Sequence, residues 1–341
     1  MLSTVYQLKR PRQFEMSFRD ITLDEEHVIV RPTYLSICNA DQRYYQGSRG
    51  EEVLKKKLPM ALIHEGIGEV IYDPTGTFSV EQTVVMIPNM PCEKDEIIAE
   101  NYLRSSRFRS SSADGFLQEY VETLPDRLVV LPDDINRSVA AFTEIVSVSY
   151  HAIKRFQRFS HKRRSTIGVW GDGNMGYITA LLLKKMIPAS KIVVFGTNRS
   201  KLFDFTFVDE TYRIDEIPAD FCMDHAFECV GGNGSGKAIN QMIDYIQPEG
   251  TISILGVSED LVPINTRMIL EKGLRVYGSS RSGREDFLGI IELYKSHPEI
   301  VRYLENIVGS QIHVRGVKDI VEAFETDIHK LIGKTIMIWD E

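Results

Sequence analysis

The chain has 341 residues, 43% of them hydrophobic, and a formal net charge of -8 at pH 7. This length predicts about two domains with a large core, and the acidic balance with scattered basic residues argues against a nucleic-acid partner. The sequence has no apolar stretch of the roughly 18 residues that suggest a membrane helix, and its first residues lack a signal-peptide pattern, so we expect a cytoplasmic protein with no membrane partner. Four dispersed cysteines are too few for a disulfide framework.

Short β-rich runs, each ended by turn residues, characterise residues 1 to about 145. Examples at residues 27–31, 68–72 and 83–87 predict a compact, mostly antiparallel β domain. Residues 91–113 differ because they are polar, charged and rich in serine. This segment is predicted to form a long loop with about one helical turn, and loops of that length inside a domain are usually functional or flexible.

Residues 166–176 read TIGVWGDGNMG and place Gly171, Gly173 and Gly176 between an apolar run and a long aliphatic segment. This pattern predicts a strand, a tight turn and a helix. The first glycine permits the turn, the second lets the backbone approach a pyrophosphate, and the third lets helix and strand pack closely. With Asn174 and Met175 at the start of the helix, where free N–H groups favour phosphate, the motif predicts a dinucleotide site.

Apolar strands alternate with helical patterns after the glycine motif. Because such strands are covered on both faces and need not alternate, they predict a parallel doubly wound sheet. The predicted strands are residues 191–195, 224–229, 251–256 and 275–278, with a helix at 238–246. The last stretch predicts helices at 284–296 and 317–327 and a terminal strand at 334–339. We therefore expect an α/β protein with a β-rich domain at 1–146 together with 283–341, and a nucleotide-binding domain at 147–282.

The part of the chain that precedes the glycine motif contains four side chains that suit a metal ion. They are Cys38, His64, Glu65 and Glu144. A catalytic zinc takes a few sulfur, nitrogen or oxygen ligands from the protein and leaves one position for water or substrate. Cys38 and His64 with either carboxylate would meet that need. The separations along the chain are long, so spacing alone does not specify the site.

The order of these motifs resembles the zinc-dependent medium-chain dehydrogenase/reductase superfamily, and its polyol dehydrogenase branch looks nearest. The likeness rests on Cys38, then HEGIGEV from His64, DGFLQEYV at 114–121, Glu144 before SVSYHA, and the glycine motif. It implies a GroES-like catalytic domain, a Rossmann coenzyme domain, and a catalytic zinc at Cys38, His64, Glu65 and Glu144. Which glutamate binds the metal directly and which exchanges with water stays open.

Two departures from the family pattern affect the expected chemistry. Many members hold a structural zinc on four cysteines in the loop that here spans residues 91–113, but this loop has only Cys92. We therefore expect one zinc per chain at most and no structural zinc. Ala40 stands where the family usually has a Ser or Thr that relays the alcohol proton, and alanine has no group for that role. Asp41, a zinc-bound water or the hydroxyls of the substrate could replace it.

The residues after the second predicted Rossmann strand indicate the cofactor. NAD enzymes place an Asp or Glu there, and that carboxylate would repel a 2′-phosphate. Residues 196–201 lack an acid and instead offer Thr197, Arg199 and Lys201, whose hydroxyl and cationic groups suit a phosphate. The sequence therefore predicts NADP(H) rather than NAD(H).

Further stretches are similar to a family of bacterial reductases in teichoic acid and capsule precursor pathways. They lie at residues 41–50, 227–232, 239–246, 265–274 and 278–283. The resemblance implies NADPH-dependent reduction of D-ribulose 5-phosphate to D-ribitol 5-phosphate at the zinc, which would supply a cytidylyltransferase that makes CDP-ribitol. The alternatives are a zinc polyol or alcohol dehydrogenase with another sugar alcohol or sugar phosphate, a zinc-free reductase, and a non-enzymatic NADP(H)-binding protein.

A sugar-phosphate substrate needs cationic donors near the metal, preferably bidentate arginine. The candidate substrate-binding residues are Arg43, Tyr44, Arg49, Arg109 and Arg281. Members of the resembled superfamily are commonly homodimers or homotetramers that associate through an edge strand of the coenzyme domain. By resemblance alone, residues 275–278 are the candidate edge.

Overall fold

The computed structural model describes residues 1–330 and 333–339. The chain forms two compact units, which we call the first unit (Met1–Ser147 with Ser282–Glu341) and the second unit (Val148–Arg281). The sequence predicted domains at 1–146 with 283–341 and at 147–282. Of the predicted 283–341 segment, residues 331–332 and 340–341 lie outside the described part of the chain.

The first part of the chain consists mainly of short strands rich in β-branched and aromatic residues, as their pleated, half-buried setting favours. The strands are β1 (Leu2–Arg10), β2 (Gln13–Asp20), β3 (Val28–Ser36), β4 (Met60–Ala61), β5 (Glu65–Tyr72), β6 (Thr83–Met86), β7 (Asn89–Met90), β8 (Arg107–Phe108), β9 (Val121–Thr123) and β10 (Leu128–Val130). The helices are α1 (Asn39–Tyr45), α2 (Glu51–Lys57), α3 (Arg137–Ala140) and α4 (Thr143–Phe159), with 3₁₀ turns at Glu100–Tyr102 and Pro125–Arg127. The turn at Glu100–Tyr102 lies in the predicted long loop.

The second unit is built on a six-stranded parallel sheet. Its strands are β11 (Thr166–Trp170), β12 (Lys191–Gly196), β13 (Glu210–Arg213), β14 (Met223–Glu228), β15 (Ile246–Ile254) and β16 (Arg275–Gly278). Its helices are α5 (Asn174–Met186), α6 (Arg199–Leu202), α7 (Ser235–Tyr245) and α8 (Thr266–Glu271), with a 3₁₀ turn at Gly232–Gly234. The strand order β13-β12-β11-β14-β15-β16 puts β11 at the centre, so the glycine turn follows a central strand, where such sheets bind ligands.

The chain then returns to the first unit through α9 (Arg284–Ser296), α10 (Glu299–Glu305), β17 (Val308–Val314), α11 (Val317–His329) and β18 (Lys334–Trp339). The structure corrects several element predictions. Ile246 begins β15 instead of ending a helix, and α6, β13, α8, α10 and β17 were not predicted. The short, mostly half-buried strand β13 has no apolar run that would reveal it.

Strand pairing in the first unit brings distant residues together. Its large sheet has the order β10-β6-β5-β3-β18-β17, with β9 also paired to β3. Ser36 at the end of β3 pairs with Glu65 at the start of β5 and with Ile336 of β18, both antiparallel. Cys38, Glu65 and Lys334 therefore meet at one end of this sheet.

Each unit has its own hydrophobic core. In the first unit the rings of Tyr45 and Phe324 stack with centroids 4.7 Å apart, and Phe14 packs against both. In the second unit Trp170 and Phe195 stack at 3.9 Å on adjacent strands of the sheet. Among the described residues, none of the helices combines the length and apolarity needed to cross a membrane.

Candidate active site

Three of the predicted metal ligands lie together in the first unit. One ligand atom each from Cys38, His64 and Glu65 lies within 4.8 Å of the other two. Cys38 is half-buried just before α1, while His64 and Glu65 are buried where the chain enters β5. A sulfur, an imidazole nitrogen and a carboxylate oxygen are the donor types that zinc prefers, so the cluster fits a zinc ion.

Glu144, the fourth predicted ligand, lies in the first turn of α4 and is also buried. The pKa of its carboxyl is raised to about 7, mainly by burial and also by the charges of Glu65 and Asp41, while the charges of His64 and Lys334 oppose the rise. Glu144 therefore lies near enough to interact electrostatically with the cluster. Among the described residues, the group within 4.8 Å does not include its oxygens.

Asp41 is fully buried beneath His64, with its Oδ1 3.4 Å from the imidazole Nδ1. The same Oδ1 accepts hydrogen bonds from the Ser110 hydroxyl at 2.6 Å and the Ile63 N–H at 3.1 Å. Oδ2 accepts from the Cys38 N–H at 3.2 Å. Burial alone would raise the pKa of Asp41, but the charge of His64 and these hydrogen bonds lower it. These contacts favour a role in orienting His64, and both oxygens of the Asp41 carboxylate already accept hydrogen bonds, so its predicted part in the proton relay stays a prediction.

The charges around His64 decide its protonation. Burial opposes the imidazolium form, yet the charges of Asp41 and Cys38 raise the pKa of His64 well above its ordinary value. A bound cation would reverse this balance, because a metal ligand must be a neutral imidazole. Metal binding at this site is therefore coupled to the release of a proton.

Lys334 is a residue of the site that the sequence did not reveal. Its Nζ lies 2.9 Å from Oε1 and 2.8 Å from Oε2 of Glu65, and both side chains are buried. Burial opposes the charged lysine, but Glu65 and Cys38 raise the pKa of Lys334 overall. A lysine at the start of the apolar run KTIMIW was the available signal. The pair neutralises one carboxylate of a cluster that would otherwise hold several buried negative charges.

The predicted substrate residues fall in different settings. Arg43 lies in the last turn of α1, the helix that begins after Cys38, and the guanidinium of Arg49 lies 4.4 Å from the ring centre of buried Tyr44. Arg281 ends the second unit in a left-handed conformation with φ of 57°. Arg43, Tyr44 and Arg49 thus belong to one segment that continues from a predicted metal ligand.

Arg109 requires a correction. Its guanidinium is buried and donates to the main-chain oxygens of Glu122 at 2.7 Å and Asp114 at 3.3 Å. Burial, together with the charge of Arg19, lowers its pKa to about 10. These contacts assign Arg109 a structural role in its loop, so it is not a plausible phosphate ligand.

The glycine motif adopts the predicted turn between β11 and α5. Gly171 has φ of +132°, and a Cβ there would lie 2.8 Å from the carbonyl oxygen of Cys229. A Cβ on Gly176 would lie 1.9 Å from the carbonyl oxygen of Gly171, so only glycine permits this approach. Nothing lies within 4 Å of a Cβ on Gly173, which directly precedes Asn174 and Met175 at the start of α5. The turn is closed inward and open on the side where a pyrophosphate would bind.

The loop after β12 is organised by Asp172 of the glycine turn. Its Oδ2 accepts hydrogen bonds from the N–H groups of Thr197 at 2.7 Å and Asn198 at 2.8 Å, and from the Thr197 hydroxyl at 3.3 Å. Arg199 is exposed and forms an ion pair with Glu216, and Lys201 lies two residues later in the short helix α6. The sequence analysis missed Asp172, whose spacing from Thr197 gave no signal.

Comparisons with known proteins agree with this arrangement. Residues 24–133 match the family model described as alcohol dehydrogenase GroES-like domain, and residues 180–296 match the model described as zinc-binding dehydrogenase. A ribulose-5-phosphate reductase of Bacillus spizizenii is 56% identical over 100% of both chains, and ribulose-5-phosphate reductase 1 of Staphylococcus aureus is 55% identical over 99% of both. The crystal structure of S. aureus TarJ in complex with NADPH superposes with a TM-score of 0.90 at 50% identity and covers 100% of both chains.

These matches confirm the predicted α/β fold class, a GroES-like β-rich domain with a Rossmann-type coenzyme domain. They also confirm that the protein is an oxidoreductase. The chain belongs to the zinc-binding, medium-chain alcohol dehydrogenase family, within the group that includes the ribulose-5-phosphate reductases.

Proposed function

We propose that the chain catalyses NADPH-dependent reduction of D-ribulose 5-phosphate to D-ribitol 5-phosphate at a catalytic zinc. The observation that carries the proposal is full-length identity of 56% to a ribulose-5-phosphate reductase, combined with a buried cluster of Cys38, His64 and Glu65. Enzymes that are 56% identical over their full length usually share their active-site residues and differ mainly at the surface. The intact ligand set disfavours a zinc-free reductase and a purely binding protein.

Zinc would be held by Cys38 and His64 together with Glu65 or Glu144. When bound, zinc supplies a Lewis acid that polarises a carbonyl oxygen and stabilises the negative charge that develops on it. The protein supports this chemistry in two ways. Asp41 fixes the imidazole of His64, and Lys334 balances the charge of Glu65.

NADP(H) would bind in the second unit, and its nicotinamide supplies the hydride. Gly171, Gly173 and Gly176 admit the pyrophosphate to the N–H groups at the start of α5, including those of Asn174 and Met175. Thr197, Arg199 and Lys201 would contact the 2′-phosphate, because the first two are exposed, Lys201 is half-buried beside them, and residues 196–201 contain no carboxylate.

Calorimetry with NADPH and NADH tests the cofactor assignment. We expect NADPH to bind more tightly in the parent protein and Arg199→Ala to weaken NADPH binding more than NADH binding. Arg213→Ala, which removes a guanidinium paired with Asp215 on the same unit, serves as the control. A clear preference of the parent protein for NADH would reject the assignment.

In the first unit, Arg43 and Arg49 would bind the phosphate of the substrate, with Tyr44 supporting Arg49 through its ring. The proton that completes the reduction would come from water or from a hydroxyl of the substrate. Asp41 is a weaker candidate because Ser110, Ile63 and Cys38 already donate to its carboxylate.

The decisive experiment is an NADPH oxidation assay with D-ribulose 5-phosphate, unphosphorylated D-ribulose and D-xylulose 5-phosphate, with zinc measured on the same sample. We expect turnover to be fastest with D-ribulose 5-phosphate. Cys38→Ser should lower zinc content and turnover together, whereas Cys92→Ser, at an exposed cysteine of the long loop, should change neither. Full activity in a metal-free Cys38→Ser protein would reject the zinc mechanism, and faster oxidation of a polyol would favour a polyol dehydrogenase.

The product would feed a ribitol-5-phosphate cytidylyltransferase for CDP-ribitol and teichoic acid synthesis, and we expect the reaction to take place in the cytoplasm. A coupled assay with CTP and such a transferase tests the sequence of reactions. CDP-ribitol should form only when both enzymes, NADPH and D-ribulose 5-phosphate are present.

We also propose a homodimer or homotetramer formed through β16. This strand lies at the edge of the six-stranded sheet, where a strand of a second copy could extend the sheet. Light scattering coupled to gel filtration should give a dimer or tetramer for the parent protein. Val276→Pro should shift the mass toward a monomer, and a monomeric parent would exclude this assembly.

A further inference from the structure

The serine loop, which we define as residues 91–113, is fastened in the first unit without a cluster of thiolates. Glu100 near its middle accepts hydrogen bonds on Oε1 from Arg127 Nη1 at 2.9 Å and from the Arg284 N–H at 2.8 Å. Arg127 is buried and also donates to the carbonyl oxygen of Asn89. Glu100 thus ties the loop to two separate parts of the unit.

A second set of contacts fixes the loop on both sides of Ser110. The Arg109 N–H donates to the carbonyl oxygen of Pro88 at 3.0 Å, and its buried guanidinium donates to the main chain at Asp114 and Glu122. Lys57 Nζ lies 2.5 Å from the carbonyl oxygen of Ser111. The backbone that carries Ser110 therefore has little freedom to move.

Ser110 itself has an uncommon conformation. Its φ is 58°, in the left-handed region that non-glycine residues seldom occupy, and its N–H donates to the carbonyl oxygen of Ala113. Only 4% of the residue is exposed, and its hydroxyl donates to Oδ1 of Asp41 at 2.6 Å. Such conformations persist where the surrounding structure enforces them, often at functional sites.

The hydroxyl of Ser110 is linked through Asp41 to His64, one of the three clustered candidate metal ligands. Oδ1 of Asp41 also lies 3.4 Å from Nδ1 of His64, which is an ion-pair distance, so we assign Nε2 of that imidazole to the metal. The ring of Phe108, on the same loop, packs against the His64 ring with centroids 5.5 Å apart. One loop therefore contacts His64 directly and also holds the carboxylate that orients it.

We propose that Ser110 is a positioning residue that fixes the Asp41 carboxylate and thereby the tautomer and direction of His64 as a metal ligand. Partners that hydrogen-bond to a ligating histidine set its tautomer and raise its basicity, and their loss typically lowers metal affinity by roughly 10–100-fold. Ser110 acts one step farther out, because it locks the partner. The inference rests on metal binding at the proposed site but not on the identity of the substrate.

The test measures metal binding to the full chain after removal and return of the metal. Ser110→Ala and Ser110→Gly both remove the hydroxyl, and glycine accepts the left-handed backbone without strain. We expect each variant to bind Co²⁺ about 10-fold more weakly and to show a shifted visible absorption spectrum of the bound Co²⁺, while the Tm of Ser110→Gly stays near that of the parent. Ser105→Ala is the matched control, because this hydroxyl on the same loop bonds exposed Glu93.

A double variant tests the route through Asp41. If Ser110 acts through that carboxylate, Ser110→Gly combined with Asp41→Asn should weaken Co²⁺ binding little more than Asp41→Asn alone. Parent-like affinity and spectrum in Ser110→Gly, the same loss in Ser105→Ala, or additive losses in the double variant would each overturn the proposal. Because no substrate is present, failure of the ribulose-5-phosphate assay would leave these results unaffected.

Discussion

His64 in the first unit and His225 in the second unit are both buried, yet their surroundings shift the pKa of the imidazole in opposite directions. His64 faces Asp41 and lies near Cys38, and these charges raise its pKa well above the ordinary value. His225 accepts the Thr251 N–H on Nδ1 at 3.2 Å and has Nε2 2.9 Å from the carbonyl oxygen of Arg163. Burial, with the charge of His161, lowers its pKa to about 4.

The difference separates His64, a proposed metal ligand, from His225, which links parts of the second unit. His225 is neutral with its proton on Nε2, an arrangement assigned from its two partners, and it links β14 to β15 and to the segment before β11. His64 lies beside a carboxylate and a thiol, and a cation that binds to this group of side chains would displace the proton of the imidazole. Burial alone therefore says nothing about function, and the charges within a few ångströms decide it.

The buried ion pair beside His64 predicts the largest change in the free energy of unfolding. Lys334→Met would leave Glu65 buried without its cation, and breaking a buried ion pair in this way typically costs about 3–5 kcal/mol. Urea unfolding of the metal-free full chain should show this loss. The exposed pair Arg267–Glu271 provides the control, since Arg267→Met should change stability by less than about 1 kcal/mol.

Exchanging the two histidines for glutamine tests their roles directly. His64→Gln should lower zinc affinity and reductase turnover by more than about 100-fold, because loss of a ligand exceeds the roughly 10–100-fold cost of losing its outer partner. His225→Gln should retain zinc and turnover. Atomic absorption measures the zinc content of both variants, and NADPH oxidation measures their turnover. Loss of zinc in His225→Gln but not in His64→Gln would contradict the roles given to the two histidines.

The lowered pKa of His225 predicts a loss of stability in acid. Below about pH 6.5 the unfolded chain binds a proton that folded His225 rejects until about pH 4, so the free energy of unfolding falls as the pH drops through that window. At pH 5 the contribution is about 1–2 kcal/mol. Glutamine can donate and accept similar bonds without titrating, so His225→Gln should unfold less readily in acid relative to its own stability at pH 7. Equal acid slopes in parent and variant would contradict this assignment.

His161 provides the smallest test. Its ring centre lies 4.2 Å from that of His225, and its charge helps to lower the pKa of His225. His161→Gln should reduce the acid-induced loss of stability by a few tenths of a kcal/mol, since His161 is only half-buried and partly screened. Thermal unfolding at pH 5 and pH 7 measures the change. A larger acid-induced loss of stability in the variant than in the parent would contradict the prediction.

The sequence identified features that depend on local pattern. The glycine turn after β11 and the motifs around Cys38 and His64 were recognised because residue type and order carry the information. Glu65 and Lys334 are separated by 269 positions in the chain, and only the pairing of β3 with β5 and β18 brings them together. That pairing leaves no local trace in either segment.

Residue type alone misled the prediction for Arg109. Arginine suits a phosphate, but this guanidinium is buried and its Nη1 and Nη2 donate to main-chain carbonyls, which have no sequence signature. Ser110 and Asp172 were overlooked for the related reason that a hydroxyl or carboxylate in a loop is usually solvated. Strand β17 did carry a signal, because the apolar residues Ile312 and Val314 alternate with polar Gln311 and His313 in its sequence.

The hydrogen bonds of Glu100 and Arg109 that hold the serine loop have a consequence for the loss and return of the metal ion. A chelator removes metal ions, and this loop offers only Cys92 as a thiol, which is exposed and makes none of these contacts. The hydrogen bonds that shape the loop require neither a metal nor a thiolate. A molecule stripped of its catalytic metal should therefore regain activity when the ion is resupplied, without refolding.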